Sequence, residues 1–140
     1  MIKFKKLTAE AQIPKRATDG SAGFDLYFSG DSCVLREGEH AAFNTSISCE
    51  LPEHYMGIIK PRSGWAVKYG VDVLGGLIDP DYRGELKVIL INHGQRPLNI
   101  YTGDRVAQLV VTSFIGRAHE IDNLSATDRG SSGFGSTGIK

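Results

Sequence analysis

Ala22-Gly23-Phe24-Asp25-Leu26-Tyr27-Phe28 sets Phe24, Leu26 and Phe28 on one side of an extended chain and Asp25 and Tyr27 on the other. Side chains alternate across a strand, so this pattern predicts a strand with one face buried. Phe43, Thr45, Ile47, Cys49 and Leu51 repeat the rule. Working outward, Tyr55 to Lys60, Glu85 to Asn92, Leu98 to Tyr101 and Arg105 to Thr112 are further short strand candidates. Turn formers separate them, as in Gly94-Gln95-Arg96-Pro97 and Thr102-Gly103-Asp104. Many short strands at this spacing predict an all-β architecture, closed or double-sheeted. One helix is expected, over Ser63 to Tyr69, with Ser63 as N-cap and Gly70 as terminator.

A chain of 140 residues suits one domain with a single hydrophobic core. Sixteen Lys and Arg against sixteen Asp and Glu leave no basic field to draw the chain to nucleic acid or an anionic membrane. Any phosphate must therefore be bound locally. Cys33 and Cys49 lack the spacing of a metal or redox site and make no disulfide framework, which fits a reducing cytoplasm. No apolar run reaches membrane-span length, and the basic start at Met1 to Lys6 is not followed by a signal-peptide core. The reading divides the chain into a β domain, 1–121, and an arm, 122–140, poor in large apolar residues and ending in RGSSGFGSTG (129 to 138). Such a composition cannot bury a core alone, and it reads either as a disordered, solvated terminus or as a segment that orders over a bound nucleotide. Its glycines open backbone N–H groups to phosphate, Arg129 can pair with phosphate oxygens, and Phe134 can stack on a base.

Candidate chemistry gathers in a few segments. Pro61-Arg62-Ser63-Gly64 joins a strand to the helix, where a guanidinium, a hydroxyl and backbone N–H groups can converge on one anion, though such a turn also serves simply as a cap. Gly103-Asp104-Arg105-Val106-Ala107-Gln108 carries an amide able to reach phosphate, with Asp104 and Arg105 otherwise a turn and an exposed pair. Gly75-Gly76 between Val71-Val73 and Leu77-Ile78 reads as a hairpin whose exposed backbone can read the edge of a pyrimidine. Asp79-Pro80-Asp81-Tyr82-Arg83-Gly84 holds more functional groups than a plain turn needs. Asp25 inside an apolar strand either faces solvent or faces a cation, an arginine or a water.

AGFDLYF (22 to 28), PRSGWA (61 to 66), GLIDPDYRGELKV (76 to 88), GDRVAQLV (103 to 110) and RGSSGFGSTG (129 to 138), in this order, resemble the five motifs of the homotrimeric dUTPases. The resemblance implies a jelly-roll-like β-clip barrel and a trimer whose active sites are assembled from neighbouring chains. It implies hydrolysis of dUTP to dUMP and pyrophosphate, which limits uracil in DNA and supplies dUMP for dTMP synthesis. Asp79 matches the acid that activates water for attack on the α-phosphorus. Tyr82 matches the ring that excludes a 2′-hydroxyl, and the segment from Val73 through Gly76, Leu77 and Ile78 matches the backbone that reads uracil. Lys87 falls in the same substrate-binding stretch. Arg62, Ser63, Gly64 and Gln108 match phosphate-binding positions, and Asp25 matches the acid that helps hold Mg²⁺ through water. In the arm, Arg129 matches the arginine that neutralises developing phosphate charge, Phe134 the ring over uracil, and Gly135, Ser136 and Thr137 the γ-phosphate clamp. Trp65 departs from the smaller aliphatic residue common after PRSG, and Asp81 is expected to be structural. The neighbouring alternatives are a dCTP deaminase of similar fold and a protein that keeps the site for sensing a nucleotide. The Ile-Asp-Pro-Asp-Tyr segment and the last motif favour the hydrolase, and a carboxylate beside polyphosphate would hinder a pure binder.

Overall fold

Eleven strands and one short helix occupy residues 1–133, which are the residues the computed structural model describes. They are β1 (Lys3–Lys6), β2 (Gly23–Tyr27), β3 (Cys33–Leu35), β4 (His40–Phe43), β5 (Ile47–Glu50) and β6 (Tyr55–Lys60), then α1 (Ser63–Tyr69), β7 (Val71–Leu74), β8 (Leu77–Ile78), β9 (Val88–Asn92), β10 (Leu98–Ile100) and β11 (Arg105–Ser113). The all-β expectation is met. A four-stranded sheet runs β2-β11-β6-β8 and a three-stranded sheet runs β4-β9-β7, while β1 pairs with β5 and β10 with β3.

The long strand β11 organises the larger sheet because it pairs antiparallel on both sides, with β2 and with β6. An irregularity in its register with β2 between Arg105 and Ala107 turns both Val106 and Ala107 inward. All the sheets contribute to one core: Leu26, Ile59 and Leu109 from the first, Val71, Val88 and Leu90 from the second, Leu35 and Ile100 from the third, Ile47 and Cys49 from the fourth. Buried polar groups are paired, as burial without a partner would be costly. Asn92 donates to the carbonyls of Leu35 and Arg96, both at 3.0 Å, and accepts from Gly94 N–H at 2.9 Å.

Three local expectations are corrected. Phe43, Thr45, Ile47, Cys49 and Leu51 are all buried, but Ser48 is buried among them and the strand is broken: Ser46 has φ 52, and β4 and β5 go to different sheets. Ser63 does not cap α1, since Arg62 occupies the N-cap position without a side-chain cap and Ser63 already lies in the first turn. Gly70, with φ 66, does end the helix. The Gly75-Gly76 turn is no hairpin, because β7 pairs with β9 whereas β8 pairs with β6. Both glycines have positive φ, 64 and 89, and Gly76 carries the chain across so that its carbonyl accepts Ile59 N–H at 2.8 Å. A Cβ at Gly76 would lie 3.0 Å from the Ile59 carbonyl oxygen, so glycine permits this crossing.

After Ser113 no strand or helix follows among the described residues, and every residue from 115 to 132 is exposed. No helix among them is long and apolar enough to cross a membrane. Phe134, Gly135, Ser136 and Thr137 lie outside the described residues.

Candidate active site

Adjacent strands bring the first group of predicted residues together. Asp25 on β2 is the register partner of Gln108 on β11, and Gln108 is in turn the partner of Lys60 at the end of β6, where the chain enters Pro61-Arg62-Ser63-Gly64. Asp25, Arg62, Ser63, Gly64 and Gln108 line a cleft of 210 Å³. The Gln108 side-chain amide donates to the Pro61 carbonyl at 3.0 Å, fixing the turn to the strand.

Asp25 faces arginine rather than solvent. Its side chain is only 13% exposed, with Arg105 Nη1 at 3.2 Å from Oδ2 and Arg62 Nε at 3.5 Å from Oδ1. Two guanidinium groups around one carboxylate leave a local positive excess in a cleft lined by hydroxyl and amide groups. That is the electrostatic character a polyphosphate needs. Arg105 was read as one member of an exposed pair; its true partner lies 80 residues away in sequence. Ser21, which also lines this cleft, was missed as well. Its hydroxyl accepts from Thr18 N–H at 3.1 Å, a local Thr-x-x-Ser turn that the sequence does contain.

The second group assembles around the Gly76 crossing. Gly76, Leu77, Ile78, Asp79, Tyr82 and Lys87 line a separate cavity of 250 Å³, joined there by Glu85 and Ile89. Val73 is not among its lining residues; its side chain packs against the core on β7. Asp79 is exposed, and among the described residues no hydrogen bond or ion pair engages its carboxylate. Its backbone carbonyl accepts Tyr82 N–H at 3.2 Å, and Arg83 Nη1 donates to the Pro80 carbonyl at 2.6 Å, so the Asp79–Arg83 turn is closed on itself. Asp81 is exposed and does not line the cavity.

The two groups stand apart within the chain. The first cleft opens beside β2 and β11 at the turn that leaves β6, and the second opens beside β8, the strand that pairs with β6; the two share no lining residue. Arg129 lines neither cavity; its Nε donates to the Ser132 carbonyl at 2.9 Å in an exposed turn. Trp65 on α1 packs partly buried against the core, one residue beyond the cleft-lining Gly64.

Among the described residues no three His, Cys, Asp or Glu side chains cluster as a metal cage. Among the described residues, the only carboxylate lining the first cleft is that of Asp25.

Comparison with known proteins identifies the family and the fold. The dUTPase family model matches residues 9–138. The deoxyuridine 5′-triphosphate nucleotidohydrolase of cowpox virus is 44% identical over 140 residues, covering 99% of this chain and 94% of the viral protein. Its variola virus counterpart gives the same identity and coverage. Among solved structures, the dUTPase of Staphylococcus bacteriophage 80alpha with dUPNHPP superposes with a TM-score of 0.90 at 27% identity, covering 99% of both chains. By the span of the family match and the identity to the viral enzymes, the chain belongs to the dUTPase family.

Proposed function

We propose that this protein hydrolyses dUTP to dUMP and pyrophosphate, in active sites that draw their two halves from different chains of a trimer. The separation of the two clefts within one chain carries this reading. One cleft has the groups for a polyphosphate, Arg62, Ser63, Gly64 and Gln108. The other has an unengaged carboxylate, an aromatic ring and accessible backbone at Gly76 to Ile78. A nucleoside triphosphate needs both at once, and among the described residues no single cavity of one chain holds both sets. Apolar side chains left exposed also support an oligomer: Leu74 and Ile89 are register partners on the outer face of the three-stranded sheet, and Ile115, Ile121 and Leu124 follow β11. Paired apolar side chains exposed on a sheet face, as Leu74 and Ile89 are, fit a surface that another chain covers.

The chemistry follows from the residues. The Asp79 carboxylate takes a proton from water while the water oxygen bonds to the α-phosphorus. The bond from that phosphorus to the bridging oxygen of the β-phosphate breaks, and pyrophosphate leaves with the electron pair. Arg62 and Gln108 hold the departing phosphates, and Arg129 brings a further positive charge as negative charge builds. Tyr82 lies against the deoxyribose, and the backbone around Gly76 to Ile78 reads uracil. Phe134 to Thr137 would cover the base and the γ-phosphate.

The donor set of the first cleft fits magnesium. Asp25 offers one oxygen-only ligand group whose remaining lone pairs can accept metal-bound water, and Mg²⁺ keeps several waters and takes triphosphate oxygens directly. Bound with the substrate, the ion would withdraw charge from the phosphate oxygens.

The test is to incubate the pure protein and Mg²⁺ with each common nucleoside triphosphate and measure pyrophosphate. Release from dUTP far above all others is expected. Equal release from dTTP or UTP would remove the substrate assignment.

A further inference from the structure

The Tyr82 ring is seated on its own loop. Its hydroxyl donates to the Glu85 backbone carbonyl at 3.0 Å. The ring lies so close over Gly84 that a Cβ there would stand 2.5 Å from Cζ and 2.8 Å from Cε2. Carbon atoms do not approach that closely, so any side chain at position 84 displaces the ring. Gly84 is not among the residues with positive φ, and alanine there adds no left-handed strain.

The carbonyl under the hydroxyl is itself anchored. The Glu85 carboxylate accepts Ser46 N–H at 2.7 Å, and Glu85 forms an isolated bridge with Ser48. Next to it, Leu86 N–H donates to the Ile47 carbonyl at 2.7 Å, and the buried Thr45 hydroxyl donates to the Leu86 carbonyl at 2.7 Å. The loop end carrying Tyr82 is thereby fastened to the segment between β4 and β5. Tyr82 is 44% exposed, and a ring that open would otherwise sample several rotamers.

We propose that Gly84 and Glu85 are positioning residues for pentose discrimination: together they hold the Tyr82 ring where a 2′-hydroxyl would collide with it. This rests on the reading of the site as one that binds dUTP with Tyr82 against the sugar. Rejecting a ligand for one extra oxygen requires bulk in a fixed place, and the residue beneath the ring fixes that place.

The experiment compares kcat/KM for dUTP and UTP in the wild type, Tyr82→Ala, Gly84→Ala, the double variant, Glu85→Ala and Glu85→Gln, with thermal midpoints measured alongside. Gly84→Ala is expected to narrow the dUTP-to-UTP ratio about tenfold, within the range that a small steric change in a pocket gives. The double variant should match Tyr82→Ala, since without the ring the seat has nothing to hold. Glu85→Ala should narrow the ratio too, while Glu85→Gln, whose amide oxygen still accepts Ser46 N–H, should keep most of it. Should Glu85→Ala not fold, Gly84→Ala decides. A proportional loss with both substrates and an unchanged ratio in Gly84→Ala, while Tyr82→Ala does narrow it, would overturn the seat. An unchanged ratio in Tyr82→Ala would overturn the pentose reading of the site itself.

Discussion

Arg105 Nη1 lies 3.2 Å from Asp25 Oδ2 across the β2-β11 pairing, and Asp25 holds Arg62 with its other oxygen. Through one carboxylate, a residue of the sheet therefore sets the direction of the guanidinium in the cleft proposed to hold phosphate. This ion-pair contact, 3.5 Å through Nε, leaves the terminal nitrogens of Arg62 for phosphate; among the described residues neither makes a hydrogen bond. Hydrogen bonds to charged groups contribute about 1.5–3 kcal/mol. Arg105→Met should accordingly lower kcat/KM for dUTP by roughly 10- to 100-fold, mostly through KM. Steady-state kinetics check this, and an unchanged KM would show that Arg62 needs no clamp.

Asp79→Asn keeps the shape of the side chain and removes the base. The expected loss in kcat is about 10² to 10⁴, with analogue binding retained. Single-turnover kinetics and a binding titration together separate the two quantities. Near-normal turnover would take Asp79 out of the mechanism.

Shared sites can be tested by mixing two crippled proteins, Asp79→Asn and a chain truncated after Leu124. Each homotrimer lacks one component in all its sites and should be nearly inactive. If Asp79 and the Arg129 segment of one site come from different chains, a mixed trimer contains a site built from a truncated chain's Asp79 and a full-length chain's arm. Activity should reappear on co-expression. Verified mixed trimers as inactive as their parents would place both components on one chain.

The N-terminal strand offers a pH test. Lys3 Nζ bonds Glu50 Oε1 at 2.6 Å across β1 and β5, and this hydrogen bond and charge hold the Glu50 carboxyl below its ordinary value. A depressed folded value stabilises the fold above the unfolded carboxyl range and is lost as pH falls through that depressed value. Both side chains are largely exposed, so the effect is small and screened by salt. Glu50→Gln should lower the thermal midpoint slightly at neutral pH and low salt, and the difference from wild type should vanish in acid. A difference that persists there would assign the stabilisation to something other than the ion pair.

Local signals made part of this molecule legible. Tyr55–Lys60 and Ser63–Tyr69 have the bounds expected of them, because alternation and a left-handed Gly70 act over a few residues. The Lys3–Lys6 strand was not expected, since three of its four side chains are lysines and its reason for being a strand is the distant β5. The Gly75-Gly76 turn looked like a hairpin because sequence carries the turn but not which strands it serves; Ile59 and Leu90, far along the chain, decide that. For the proposed site, motif order named most of the residues that line the two cavities, whereas Arg105 with Asp25 and Glu85 with Ser46 are partnerships across 80 and 39 residues that no spacing announces.

The central claim is that water attacks the α-phosphorus of dUTP, and turnover in 18O-labelled water tests it most directly. Mass spectrometry of the products should find a single 18O in dUMP and none in pyrophosphate, because the bond formed is between water oxygen and the α-phosphorus. Label in pyrophosphate would mean attack at the β-phosphorus. Orthophosphate with dUDP, or ammonia from dCTP with no turnover of dUTP, would equally contradict the account.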